Sequence, residues 1–443
     1  MTNIDQLYQT YLASRTVTTD SRKITPGCIF FAFKGEQFDG NAFIPQALEQ
    51  GAAMCVGGDD ALATLQELAR EHRRHLQIPV IGITGTNGKT TTKELVHAVL
   101  AKRYRTSATK GNFNNHLGVP LTLLSIPADT EIAIVEMGAN HPGEIAFLCG
   151  IADPDCGLIT NVGRAHLEGF GSFEGVIKTK TELYRHLAEK EGTVFVNADN
   201  PILIKNLESR IKNIVSYGKG ETAQVRGTLV GERLKVKGEK CTDAEQVPSP
   251  YLHFYFEVGD NVYNVRTHLL GDYNFDNCMA AVAVGLHFGV EPWDIKEALE
   301  EYIPSNQRSE YRETARGNRL YLDCYNANPS SMAAAIASFR SLTSHLSPLT
   351  SHLNMAIIGG MHELGAEERK EHEQVVEQLA ACGLDRVLLV GPEWSSLPHP
   401  DNMMLFADTE EVREWLKTNP ADNATILIKG SNTNRLWTLE ELL

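Results

Sequence analysis

No apolar run in the 443-residue chain approaches the ~18 residues that a membrane-spanning helix needs, so insertion into a bilayer is not expected. Residues 1–12 are polar and carry no apolar signal-peptide core, which points to the cytoplasm. Basic residues are outnumbered: 41 Lys and Arg face 56 Asp and Glu, a net charge of −15 that argues against nucleic acid as the main ligand. The eight cysteines (28, 55, 149, 156, 241, 278, 324, 382) are scattered, with no C-x-x-C pair, and read as reduced thiols. There is no G-x-G-x-x-G fingerprint, so no dinucleotide is expected, and no guanine-reading N-K-x-D. What remains is an ordinary globular composition, 42% hydrophobic and 22% charged, with length for about three domains.

The most informative stretch present is Gly85-Thr86-Asn87-Gly88-Lys89-Thr90-Thr91. The apolar run Pro79–Thr84 ahead of it reads as a buried strand, and Lys93–Arg103 behind it reads as a helix. A strand, a glycine loop and a helix start are what a triphosphate cradle requires. Glycines let backbone N–H groups turn toward phosphate oxygens, and the helix N-terminus adds donors and a positive dipole end. Lys89 would reach the β- and γ-phosphates, and the Thr90 hydroxyl would sit on Mg²⁺. Ile83 stands where the common pattern has its first glycine, so the match is G-T-N-G-K-T-T. The plainer alternative is a glycine turn capped by threonines.

Alternating strand and helix signals give an α/β chain in three units. Residues 1–78 form a small α/β unit, with a strand at Cys28–Phe33 and helices at Asn41–Gln50 and Ala61–Leu76. Residues 79–303 form the P-loop mononucleotide unit on a mostly parallel sheet, including Ile132–Val135 and Cys156–Thr160. Short alternating runs from Ala223 to Leu270 read as added antiparallel β hairpins, and Asn274–Phe288 as a helix. Residues 304–443 read as a Rossmann-like unit, with strands at Leu320–Leu322, Met355–Ile358, Arg386–Val390 and Thr425–Ile428 and helices at Ser331–Leu342 and Glu367–Cys382. The direct repeat L-T-S-H-L at 342–346 and 349–353 reads as a neutral duplication in a loop.

Three further residues carry candidate chemistry. Glu136 ends an apolar strand beside the P-loop, where a carboxylate can hold Mg²⁺; a solvated strand-end glutamate is the alternative. His166 lies in the glycine-rich run 161–172 and can ligate metal, although loop histidines more often make ordinary hydrogen bonds. Lys178 and Lys180 open the next helix, and nothing in the periodicity singles out Lys180.

Taken together the motifs resemble the Mur ligases, ATP-dependent amide-forming enzymes of peptidoglycan synthesis. The resemblance spans the chain: T-G-T-N-G-K-T-T (84–91), G-N-F-N-N-H-L-G-V-P-L-T-L-L (111–124), V-E-M-G-A-N (135–140), N-V-G-R-A-H-L-E-G-F-G-S (161–172), K-T-K-T-E-L (178–183), V-N-A-D-N (196–200) and G-D-Y-N-F-D-N (271–277). Three more stretches point to the branch that joins D-alanyl-D-alanine to UDP-N-acetylmuramoyl-tripeptide: residues 19–43, D-C-Y-N-A-N-P-S-S-M (323–332) and I-I-G-G-M-H-E-L-G (357–365). Gly360 departs from that last pattern, which usually has Asp.

The resemblance implies roles. Thr90 and Glu136 would bind one Mg²⁺. His166 would hold a second, together with Lys180 carbamylated by CO₂, an anionic oxygen donor of the kind hard Mg²⁺ prefers. Asn274 and Asn277 would contact the adenosine end of ATP, and Arg308 would place a cation near the phosphates. Asp323 would bind ribose, with Tyr325 and Asn326 close by, and Lys429-Gly430-Ser431 matches a C-terminal turn of the family. Asp20, Ser21, Arg22, Lys34 and Gly35 would line the uridine-diphosphate site, with Asn114 and Asn115 also on the UDP-substrate. A monomer is implied, and a hinge near Pro304–Arg308 that closes the C-terminal unit over ATP is expected. The rival readings are a folylpolyglutamate-synthase-like ligase, which would lack the UDP-binding start, and a nucleotide-dependent switch or inactive paralogue.

Overall fold

The computed structural model describes residues 3–35, 38–230, 250–304, 308–344 and 353–443. Three sheets organise them, of three, nine and six strands. The expected α/β architecture in three units is therefore observed.

The first unit is built on parallel strands Val17–Thr18, Ile29–Phe31 and Met54–Val56. Helix Ile4–Ser14 begins at Asn3, whose side chain accepts from the Asp5 and Gln6 amides. The helix expected over 41–50 is split: Gly40–Phe43 is a 3₁₀ turn capped by Asp39, and Ile44–Glu49 is α-helical, with Pro45 in its first turn. Helix Ala61–His75 buries Leu65, Leu68 and Ala69 in a core that also takes Leu123, Ile145 and Ile151 from the next unit. Arg73 fastens the same junction by donating to the Ala152 and Asp153 carbonyls and the Asp155 carboxylate.

In the nine-stranded sheet the strand Val80–Thr84 lies between Ile132–Glu136 and Cys156–Ile159, all parallel. Both faces are covered, so these strands are continuously apolar rather than alternating. The hairpin reading of residues 223–270 needs correction at its start. Val225–Leu229 pairs parallel with Asn213–Gly218 and only then antiparallel with Tyr251–Val258, which forms a hairpin with Asn261–Leu270. The added strands thus extend the same sheet. Residues 231–249 lie outside those described.

The six-stranded sheet runs parallel except for Glu310–Glu313, an antiparallel edge strand on Arg319–Asp323. Strand Ala424–Lys429 inserts between Arg319–Asp323 and Leu353–Gly359. Strand Met403–Phe406 and helix Thr409–Thr418 were not read from the sequence. Helix Pro329–Ser344 runs into the first copy of the L-T-S-H-L repeat and Leu353 opens a strand, so the loop reading fails at those ends; residues 345–352 lie outside those described. The seven cysteines among the described residues are unbridged, and Cys241 lies outside them. No helix among the described residues is long and apolar enough to cross a membrane.

Candidate active site

Three loops leave adjacent carboxyl ends of the central sheet and face one cavity of about 600 Å³. Thr84 leads into the glycine loop, Glu136 ends the neighbouring strand, and Asn161–His166 follows the strand on the other side. Helix Lys89–Ala101 starts four residues earlier than expected, directly at the lysine. The run Thr90-Thr91-Thr92 lowers local helix propensity, but Gly88 at φ +78° sets the turn, and the Thr92 amide donates to its carbonyl at 2.8 Å. A Cβ at Gly88 would lie 2.6 Å from Asn277 Oδ1, so the loop backbone packs directly on that side chain.

Every nucleotide and metal residue expected from the sequence lines this cavity. Gly85, Thr86, Asn87, Gly88, Lys89, Thr90 and Thr91 form one wall, and Glu136, His166 and Lys180 another. Asn274 and Asn277 line it from helix Asn274–His287, and Arg308, Asp323, Tyr325 and Asn326 come from the C-terminal unit. Asn114 and Asn115 also reach it. Asp20, Ser21, Arg22, Lys34 and Gly35 are not among its lining residues. Asp20 caps a 3₁₀ turn and pairs with Arg22, which holds its carboxyl low, at about 2. Lys34 bridges to Asp39, and the Gly35 amide donates to Phe38.

Thr90 Oγ1 lies 3.3 Å from Glu136 Oε1, and Asn114 Nδ2 donates to that same oxygen at 2.7 Å. The second carboxylate oxygen of Glu136 is buried without a hydrogen-bond partner. A hydroxyl and an unspent carboxylate oxygen are hard donors, and they fit Mg²⁺. Lys89 Nζ donates to the Gly85 and Thr86 carbonyls at 2.7 and 2.9 Å. Burial lowers its pKa to about 8, with Glu136 opposing and Arg308 adding to the effect.

Lys180 is buried, donates to the Ala139 carbonyl at 3.2 Å, and sits 5.5 Å from the Phe170 ring centre. Burial, then the charge of Lys89, holds its amine well below the ordinary lysine range. His166 stands edge-on to the same ring, and its Nδ1 hydrogen bonds Glu363 of the C-terminal unit. Burial lowers its pKa, and Glu363 partly offsets that. No three His, Cys, Asp or Glu side chains cluster as a metal site among the described residues. His166 therefore offers a cation a single nitrogen donor here, and the Lys180 amine adds no anionic oxygen.

Asn274 and Asn277 are more embedded than a ligand-reading role alone requires. Asn277 accepts from Thr92 Oγ1 at 3.0 Å and donates to Asn274 Oδ1 at 2.7 Å, and Asn274 donates to the Leu270 carbonyl. The Arg308 guanidinium lies 3.5 Å from the Tyr325 ring centre. Lys429 is buried beside Asp323 at 3.0 Å, while Ser431 caps a short turn with Asn434. At Gly360 a side chain would collide with the carboxylate of Glu393, which fills that space.

Some site residues received no role from the sequence. Lys93 Nζ donates to the Thr109 carbonyl at 2.6 Å and ties the 109–116 loop to the P-loop helix. Asn328 exchanges hydrogen bonds with Asn87, and Ser330 accepts from the Arg164 amide. Asn328, Ser330, Arg164 and Glu363 all lie inside the motif stretches, so a signal existed, but their partners are distant in sequence.

The geometry defines a class: a P-loop nucleotide-binding α/β protein whose cavity is completed by a second α/β unit. The Mur ligase family catalytic domain matches residues 14–100, the Mur ligase middle domain 83–285, and the Mur ligase glutamate ligase domain 307–432. The UDP-N-acetylmuramoyl-tripeptide–D-alanyl-D-alanine ligase of Bacillus subtilis is 34% identical over 442 residues, 95% of this chain and 91% of that protein. Its namesake from Escherichia coli is 34% identical over 432 residues, covering 94% and 91%. Crystalline MurF from Acinetobacter baumannii superimposes with a TM-score of 0.81 at 29% identity, covering 96% and 92%. MurF of Thermotoga maritima in complex with ADP gives 0.81 at 28% identity, covering 97% of each chain. The chain belongs to the Mur ligase family, as its motifs led us to expect.

Proposed function

We propose that the protein is an ATP-dependent ligase that joins D-alanyl-D-alanine to UDP-N-acetylmuramoyl-tripeptide, giving the UDP-muramoyl-pentapeptide of peptidoglycan synthesis. One observation carries the reading: a P-loop, a carboxylate with an unspent oxygen and the C-terminal residue Arg308 line one cavity in a chain that matches named tripeptide–D-alanyl-D-alanine ligases along its length. A carboxylate oxygen of the tripeptide attacks the γ-phosphorus of ATP, and ADP departs. The amine of D-alanyl-D-alanine then attacks the acyl phosphate carbonyl, loses a proton and expels phosphate. Phosphate leaves where hydroxide would not, and this is why ATP is spent.

The chain's own residues position and neutralise. Glycine-loop amides and Lys89 hold the phosphates, and Arg308 meets their charge from the opposite wall. Asp323, Tyr325 and Asn326 orient the nucleoside. Thr90 and Glu136 would hold one Mg²⁺, and His166 with a carbamylated Lys180 would hold a second; such ions would supply positive charge against the phosphate oxygens. The buried Lys180 amine spends more of its time neutral than an exposed lysine, and the neutral amine is the form that attacks CO₂. Asp20, Ser21, Arg22, Lys34 and Gly35 take the uridine diphosphate in the 1–78 unit. Asn114 and Asn115 mark the path from there to the P-loop. The protein works as a cytoplasmic monomer.

Phosphate release from ATP and Mg²⁺ with UDP-muramoyl tripeptide, with and without D-alanyl-D-alanine, tests the reading. Release that needs both, with the pentapeptide product found by mass, is expected. Release with neither, or none under any combination, sinks it in favour of a switch or an inactive paralogue.

A further inference from the structure

Two loops meet across the boundary between the central and C-terminal units. The central loop 161–166 follows strand Cys156–Ile159, and the facing segment 360–371 follows strand Leu353–Gly359. Alternate residues of the first meet carboxylates of the second. Arg164 Nη2 donates to Glu367 at 3.1 Å, and its Nε lies 2.7 Å from Glu371, which is 2% exposed. Two residues on, His166 Nδ1 hydrogen bonds the Glu363 carboxylate, and the Glu363 carbonyl accepts from the Glu168 amide. Both contact residues carry left-handed backbone, His166 at φ +50° and Glu363 at φ +61°. Neither is glycine, so each conformation is held by its surroundings at a cost. Strain kept on both sides of one hydrogen bond marks a junction whose geometry matters.

We propose that Glu363 is a positioning residue for His166: its carboxylate takes Nδ1–H, fixes the tautomer and turns the Nε2 lone pair toward the cavity. A histidine that ligates a metal through one nitrogen usually donates from the other to such a partner. Because Glu363 belongs to the C-terminal unit, the second cation position is complete only while that unit is docked on the central one. This rests on the reading of His166 as a cation ligand.

Mn²⁺ titration of the full chain with a non-hydrolysable ATP analogue, followed by electron paramagnetic resonance, separates the two ideas. The parent protein takes up two Mn²⁺. His166→Ala weakens the weaker site and spares the one at Thr90 and Glu136. Glu363→Ala weakens that same site by roughly 10–100-fold, in the range found for partners of metal-bound histidines, and Glu363→Gln, which can still accept from Nδ1–H, loses less. A circular dichroism spectrum and a metal-free thermal midpoint close to the parent's across the set show that all variants are folded. If His166→Ala matters and Glu363→Ala does not, the positioning role is overturned while the ligand reading stands. If His166→Ala leaves both sites unchanged, or the parent takes up a single Mn²⁺, the ligand reading fails and the proposal falls with it.

Discussion

His72 is a buried histidine whose environment is assembled from a distant helix. Its ring stands edge-on to Tyr11, Nδ1 lies 3.4 Å from the Tyr8 hydroxyl, and Nε2 is buried without a partner. Burial, with Arg15 and His75 adding positive charge nearby, drops its pKa to about 4 from an ordinary value near 6.5. The fold therefore holds it neutral, while the unfolded chain takes up a proton below about pH 6.5. The stability it contributes is complete above that pH and is lost as pH falls toward 4. Between pH 8 and pH 5 the loss amounts to about 2 kcal/mol. His72→Leu should show a smaller drop in thermal midpoint than the parent over that interval. Equal drops would mean that His72 does not titrate in the fold as described.

Among elements, the P-loop turn was read from its own residues, whereas its backing was not. Gly88 needs φ +78°, a conformation that costs other residues about 1–2 kcal/mol. The Asn277 side chain lies against it, clamped by Thr92 and Asn274. Gly88→Ala should therefore raise the dissociation constant for Mg-ADP by at least about tenfold, read by calorimetry, because strain and collision both fall on the phosphate-facing turn. Gly143→Ala is the control. Its φ is +84°, but nothing lies within 4 Å of the added carbon, and it should leave nucleotide affinity unchanged. Equal effects at both glycines would refute the role of Asn277. The same contrast explains which elements were missed. Strand Met403–Phe406 has only four residues, and edge strand Glu310–Glu313 reads E-Y-R-E, so neither offers an apolar period. Both become strands because a neighbouring strand supplies hydrogen bonds.

For the whole molecule, two levels of attachment separate the units. The N-terminal unit shares one apolar core with the central unit and is fastened by Tyr11, Gln66 and Arg73 to carbonyls across the junction. The C-terminal unit has its own apolar clusters and meets the centre through polar contacts at Asn87, Arg164 and His166. Polar interfaces of this kind open more readily than shared cores. Both sides of each contact lie in legible motifs, but sequence spacing cannot say that residues some two hundred positions apart will touch. Glu371 is the pivot, since it is buried and Arg164 is the cation placed against it. Arg164→Ala leaves that carboxylate unpaired in the docked state, at a cost of a few kcal/mol, and the penalty is relieved by undocking into water. The variant should scatter with a larger radius of gyration than the parent in the absence of nucleotide. Mg-ADP should recover part of the compaction if it fills the cavity that Arg308, Asp323 and Tyr325 line from the C-terminal side. Adding Glu371→Gln to Arg164→Ala removes the unpaired charge and should restore compactness toward the parent. If the single variant scatters like the parent at low and high salt alike, docking does not depend on this pair, and the contacts at Asn87 and His166 must hold the units together.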